Sequence, residues 1–135
     1  MSWRFAPPAA ALALVLTPLA AVAKCDAEAT QAELNACTGA AFEAADRELN
    51  TLYGTMRARL AGDDQTLTLM TLAQRAWIAW RDAECDFTAA GVATGSIYPT
   101  IRAQCLTDLT TARVADFHRL LSCEEGDLSC PLPPQ

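Results

Sequence analysis

One rhythm restricts this chain more than any other feature. Apolar side chains recur at Leu34, Cys37, Ala41, Ala45, Leu49, Leu52, Met56 and Leu60, always three or four residues apart. That spacing lines them along one side of an α-helix. Charges fall between them at Glu43, Asp46, Arg47 and Glu48. No segment alternates with period two over a useful length, so no sheet is expected and the fold class is all-α.

Local signals divide the helical sequence into three. Thr30-Gln31-Ala32-Glu33 has the form of a capping box, a hydroxyl at the N-cap and a carboxylate three residues on. A first helix is predicted over 31–61, weakened locally by Gly39 and Gly54 and ended by Gly62, which tolerates positive φ. Asp63 can cap a second helix over 64–88, and Asp64 suits its positive end. The short connection makes these two an antiparallel hairpin. Residues 90–96 hold two glycines and no strong period, which reads as a loop. Ser96 as a cap and Pro99 in the first turn predict a third helix over 97–121. Its expected inner face is Ile101, Cys105, Leu109 and Ala112, with Phe117 and Leu120 adjoining. The result is a three-helix antiparallel bundle.

Residues 74–87 concentrate two tryptophans, two arginines, three carboxylates and a cysteine. Trp77 and Trp80 are three apart, and Trp80 and Phe87 seven apart, so the tryptophans are expected in the core. Arg81 and Glu84 are spaced to pair. Arg75, Arg81 and Asp82 read as a brace across the bundle, with a partner contact as the other reading.

Residues 1–23 belong to a different class. Arg4 is their one charge, Ala, Leu and Val dominate from Ala6 onward, and Ala21-Val22-Ala23 supplies a small-x-small cleavage pattern. This predicts a secretory signal peptide. A membrane anchor is the weaker reading, because eighteen apolar residues are barely enough to span and Pro7, Pro8 and Pro18 interrupt them. Lys24 before Cys25 breaks the pattern a lipoprotein needs, so no stable membrane anchor is expected after cleavage. The remaining chain keeps nine basic and sixteen acidic residues, a net charge of −7. Such a surface repels nucleic acid and attracts basic proteins.

All six cysteines follow the cleavage pattern. An even number in a short exported chain points to disulfides. Fifteen pairings are possible and sequence alone does not choose; Cys25–Cys37 by a fold-back along the first helix, Cys85–Cys105 by packing of the second and third, and Cys123–Cys130 as a local loop are favoured, while a crossed Cys37–Cys85 also fits a hairpin turning near Gly62. Residues 24–121 form the expected domain. Residues 122–135 form a tail with a local disulfide loop and prolines expected to be extended and mobile.

Several of these pieces occur together in one known order. Cys25 with Thr30-Gln31-Ala32-Glu33-Leu34-Asn35-Ala36-Cys37 comes first, then Ala45-Asp46-Arg47-Glu48-Leu49-Asn50. Gln74-Arg75-Ala76-Trp77-Ile78 and Arg81-Asp82-Ala83-Glu84-Cys85 follow, then Gly95-Ser96-Ile97-Tyr98-Pro99 and Cys105-Leu106-Thr107. Over about residues 25–121 the chain resembles the LprI family of lysozyme inhibitors. The resemblance implies a small exported helical protein framed by cysteines, periplasmic or secreted. It implies a lysozyme as partner and carries over no inhibitory residue; Cys123 and Cys130 lie outside it.

Catalysis is not expected. His118 is the lone histidine, and near a helix C-terminus a cation suits the dipole. Glu43, Asp46, Asp82, Glu84 and Asp86 share helices with Arg47 and Arg81, which reads as an ion-paired face rather than an acid–base pair. No metal-ligand spacing or haem-attachment motif occurs, so no cofactor or metal is expected. The best binding element is the loop at 91–100, which offers Ser96 and Tyr98 between two helices that a disulfide would hold. A lysozyme cleft is a groove with two carboxylates, and such a loop could block it sterically. Ser96, Tyr98, Arg81 and Asp82 are the candidate partner contacts. The alternative is a periplasmic protein–protein interaction module without lysozyme activity.

Overall fold

Capping chemistry sets where each helix begins. The computed structural model describes residues 25 and 29–133, and the expected signal peptide lies outside them. Helix α1 spans Gln31–Arg59. Its N-cap Thr30 receives the Glu33 N–H, and the Glu33 carboxylate accepts the Thr30 N–H at 2.8 Å and the Thr30 hydroxyl at 2.6 Å. Gly62, at φ +96°, turns the chain. Asp63 then accepts the Thr66 N–H at 3.0 Å to open α2, Asp64–Thr88. A single 3-10 turn, Ala90–Val92, leads to α3, Tyr98–Leu121. Ser96 does not cap α3. Ile97 holds that position, with helical dihedrals and no side-chain cap bond. Pro99 in the first turn presets the backbone in its place.

Those cap bonds make the ends of α1 and α2 sensitive to acid. The Thr30 hydroxyl, then the Thr30 N–H, hold Glu33 below its ordinary 4.5, and the Thr66 N–H chiefly holds Asp63 below 3.8. Both pKa values are depressed by folding. Their stabilisation is therefore present above the unfolded values and lost as pH falls through the folded ones. Thermal unfolding should show stability declining below about pH 4.5, and Asp63→Asn, which caps without titrating, should decline less steeply. Equal slopes for the two proteins would remove Asp63 from that account.

The helices run up, down and up, so α1 and α3 are parallel. Arg59 at the end of α1 donates to the Leu121 carbonyl at 2.8 Å, and Gln31 at its start reaches Thr100 at 3.0 Å. The backbones of α1 and α3 approach most closely, and α3 also packs on α2. The main core joins Leu49, Met56 and Leu60 to Val114, Phe117 and Leu132. Tyr53 stacks near Phe117, with ring centroids 6.4 Å apart. The disulfides are Cys25–Cys37, Cys85–Cys105 and Cys123–Cys130, the favoured pairing rather than the crossed one.

Three expectations are corrected. The inner line of α3 is Ala103, Leu106, Thr110, Val114 and Phe117, while Ile101, Cys105 and Leu109 are half-buried and Ala112 is exposed. Because α3 touches both other helices, its buried face follows the contact with α1, and Cys105 stands to the side toward Cys85. Trp77 packs against the core, but Trp80 is 51% and Phe87 77% exposed. Gln74, Arg81 and Cys85 take the inward line of α2 instead. Finally, the described residues after Cys130 are not loose. Leu132, between Pro131 and Pro133, is 4% exposed and closes the core at the open end of α1 and α3.

Candidate functional site

At mid-height the bundle is braced by charge. Arg81 is buried, and its guanidinium meets Asp46 of α1 at 3.2 Å, Asp82 of α2 at 2.8 Å and the Thr110 hydroxyl of α3 at 3.3 Å. It also lies 5.3 Å from the ring centroids of both Phe42 and Trp77. Each helix therefore contributes to one arginine. The spacing with Glu84 is not used for pairing, because the inward direction of α2 points Arg81 at Asp46 and Thr110. A second arginine, Arg113, stacks on Trp77 and Phe117 and donates to Gln74. Burial lowers its pKa from the ordinary arginine value.

Above the brace, the end of the bundle is locked three times. Cys85 joins Cys105. Arg102 of α3 donates to Asp86 of α2 at 2.6 Å, and that bond raises the arginine pKa. Asn35 of α1 donates to the Ser96 carbonyl at 3.1 Å and accepts the Thr100 hydroxyl at 2.6 Å. The chain from 93 to 97 rises from this base and is exposed throughout. It is turned internally by Gly95 N–H to the Val92 carbonyl at 2.8 Å and Tyr98 N–H to the Gly95 carbonyl at 3.1 Å. A Cβ at Gly95 would stand 3.3 Å from the Val92 oxygen, so even alanine would crowd this turn. The apex is thus small, partly polar and conformationally fixed, with Ile97 39% exposed and Tyr98 half-buried beneath it.

Of the four candidate partner contacts, Ser96 and Tyr98 stand in this loop. Asp82 is half-buried and Arg81 buried about two turns lower on α2, so the four do not form one surface. Reasoning from sequence missed Gln31, Asn35 and Thr100, which tie the loop to the first helix. The only available signal was that Gln31 and Asn35 fall in the quoted 30–37 stretch, where their spacing also fits an ordinary first turn. The arrangement offers a shaped protrusion; the exposed His118–Glu48 contact, at 3.2 Å, stands near the other end of α3.

A family model described as lysozyme inhibitor LprI matches residues 22–117, from before the first cysteine through most of α3. An uncharacterized protein of Rhizobium meliloti (strain 1021) is 31% identical, the match covering 91% of this chain and 99% of that protein. No solved structure matches the chain.

Proposed function

The chain belongs to the LprI family of lysozyme inhibitors, and from that premise we propose that it is exported and inhibits lysozyme by occlusion, seating the loop around Ser96 in the enzyme cleft. The observation that carries this reading is the pinned loop. Its apex is exposed, and its base is held by a disulfide, an ion pair and Asn35. A preformed protrusion loses little conformational entropy on binding, which is what a steric inhibitor requires. Ser96 is the contact on the apex, and Tyr98, half-buried in the first turn of α3, supports it from just beneath. Asp82, about two turns lower, adds to the acidic surface, and Arg81 acts from beneath by fixing the helices that carry the loop. The excess of acidic side chains would draw in a basic lysozyme and speed the encounter. The signal-like segment at 1–23 and the three disulfides support export to an oxidising compartment. No catalytic group of the inhibitor is needed.

The test is lysis of cell walls by lysozymes of several types, with and without the purified protein. Inhibition is expected, and Ser96→Ala with Tyr98→Ala should weaken it by about tenfold, the size of effect a pair of central contacts produces. No loss of lysis at high micromolar inhibitor ends the proposal. Full potency in the double variant moves the contact away from this loop.

A further inference from the structure

The exposed rings of α2 belong to a longer pattern. Leu69, Ala73, Ala76, Trp80, Ala83 and Phe87 are spaced four, three, four, three and four apart, and all six are exposed. That is a heptad seam of the kind two helices share. Its large members, with Leu72 beside them, leave on the order of 500 Å² of apolar side chain in water, as large as the biggest patch on an ordinary monomer. Its upper part, Trp80 to Phe87, faces solvent, while Leu69 and Ala73 border a groove shared with α1, α3 and Leu132.

The seam also reads the same in both directions. Turned antiparallel against a second copy about its midpoint, Leu69 meets Phe87, Ala73 meets Ala83, and Ala76 meets Trp80. Each large side chain in the central layers falls opposite a small one. Phe87, 77% exposed, would arrive beside Leu69 and Ala73. There a groove of about 280 Å³ is lined by Met70, Phe117, Leu120 and Leu132 as well. By symmetry the same insertion occurs twice, the mark of an isologous contact. The six seam positions carry no charged side chain, so this register buries no unpaired charge. We infer that the protein forms a two-fold symmetric dimer through the α2 seam, with Phe87 of each copy in the groove of the other.

Two such faces would remove on the order of 1,000 Å² from water, near the lower bound of specific interfaces, so a micromolar dissociation constant is expected. Since α2 runs antiparallel in the pair, the two Ser96 loops emerge at opposite ends and neither is covered. The dimer therefore does not depend on the proposed inhibition.

The test is sedimentation equilibrium of the mature, disulfide-bonded protein from about 1 to 100 μM, the range that brackets such a constant. Twice the chain mass is expected at the upper end. Trp80→Glu and Phe87→Ser each change an exposed side chain, so the circular dichroism should persist while dissociation strengthens by at least about tenfold. Ala79→Cys, next to the dyad, should crosslink two copies under mild oxidation. A monomer at every concentration overturns the dimer and leaves the seam to a different partner. A dimer unchanged by both ring substitutions places the contact elsewhere and overturns it equally.

Discussion

Replacing Cys85 and Cys105 together by alanine should lower the unfolding midpoint by roughly 15 °C and cost about 3 kcal/mol. The crosslink closes a segment with a sequence separation of 20, long enough for its loss to free substantial chain entropy in the unfolded state. Cys85 is fully buried, so alanine also leaves a small unfilled space. The functional consequence should exceed what stability alone explains. The same disulfide forms the base of the Ser96 loop, and without it that end is left to the Arg102–Asp86 pair and to the hydrogen bonds of Gln31 and Asn35. Removing Cys123–Cys130, with a separation of 7, provides the control. It should cost less, about 2 kcal/mol, and act at the opposite end of the bundle, near Leu132. Thermal unfolding by circular dichroism and the lysis assay measure the two consequences. Equal losses of inhibition in both variants, at matched fractions folded, would show that the loop does not need its base.

Helix boundaries were legible because they are written in short local codes. Thr30 with Glu33, Gly62 with Asp63 and Pro99 each act within a few residues, and each stands at a helix end in the structure. The same boundaries favoured the cysteine pairing without fixing it, since a crossed Cys37–Cys85 fits the hairpin as well and only the structure chooses between them. What the spacing does not contain is the direction in which each helix turns. Trp77 and Trp80 share one side of α2 by period, yet one packs on the core and the other is exposed. The deciding partner is Arg81, whose guanidinium pairs with Asp82 on its own helix and reaches inward to Asp46 and Thr110 on the other two. A buried charge with long-range partners overrides ring hydrophobicity, because leaving it unpaired inside costs more than leaving an indole half in water. The tail failed for a related reason. Leu132 between two prolines has no period to read, and its burial depends on a gap left by α1 and α3.

That override makes Arg81 the most consequential single side chain outside the crosslinks. Arg81→Ala should destabilise the protein by about 3 kcal/mol, combining lost charged hydrogen bonds with a cavity at the centre of the bundle. The loss is smaller than for a fully buried ion pair. The side chains of Asp46 and Asp82 are 37% and 44% exposed, so water recovers part of what they lose. Thr110 has no such recourse, because it is completely buried and would lose the Arg81 hydrogen bond. Arg81→Lys keeps the charge and much of the stem, but one ammonium cannot span Asp82, Asp46 and Thr110 together or stack as a plane between Phe42 and Trp77. It should cost about half as much as alanine. Denaturant unfolding of wild type, Arg81→Ala, Asp46→Asn and the double variant separates the interhelical contact from packing. Asp46→Asn should matter in the wild-type background and matter little once Arg81 is gone, a coupling of about 1 kcal/mol. Additive losses would mean that Arg81 stabilises the bundle through its stem and the two rings, and that Asp46 is only a neighbour.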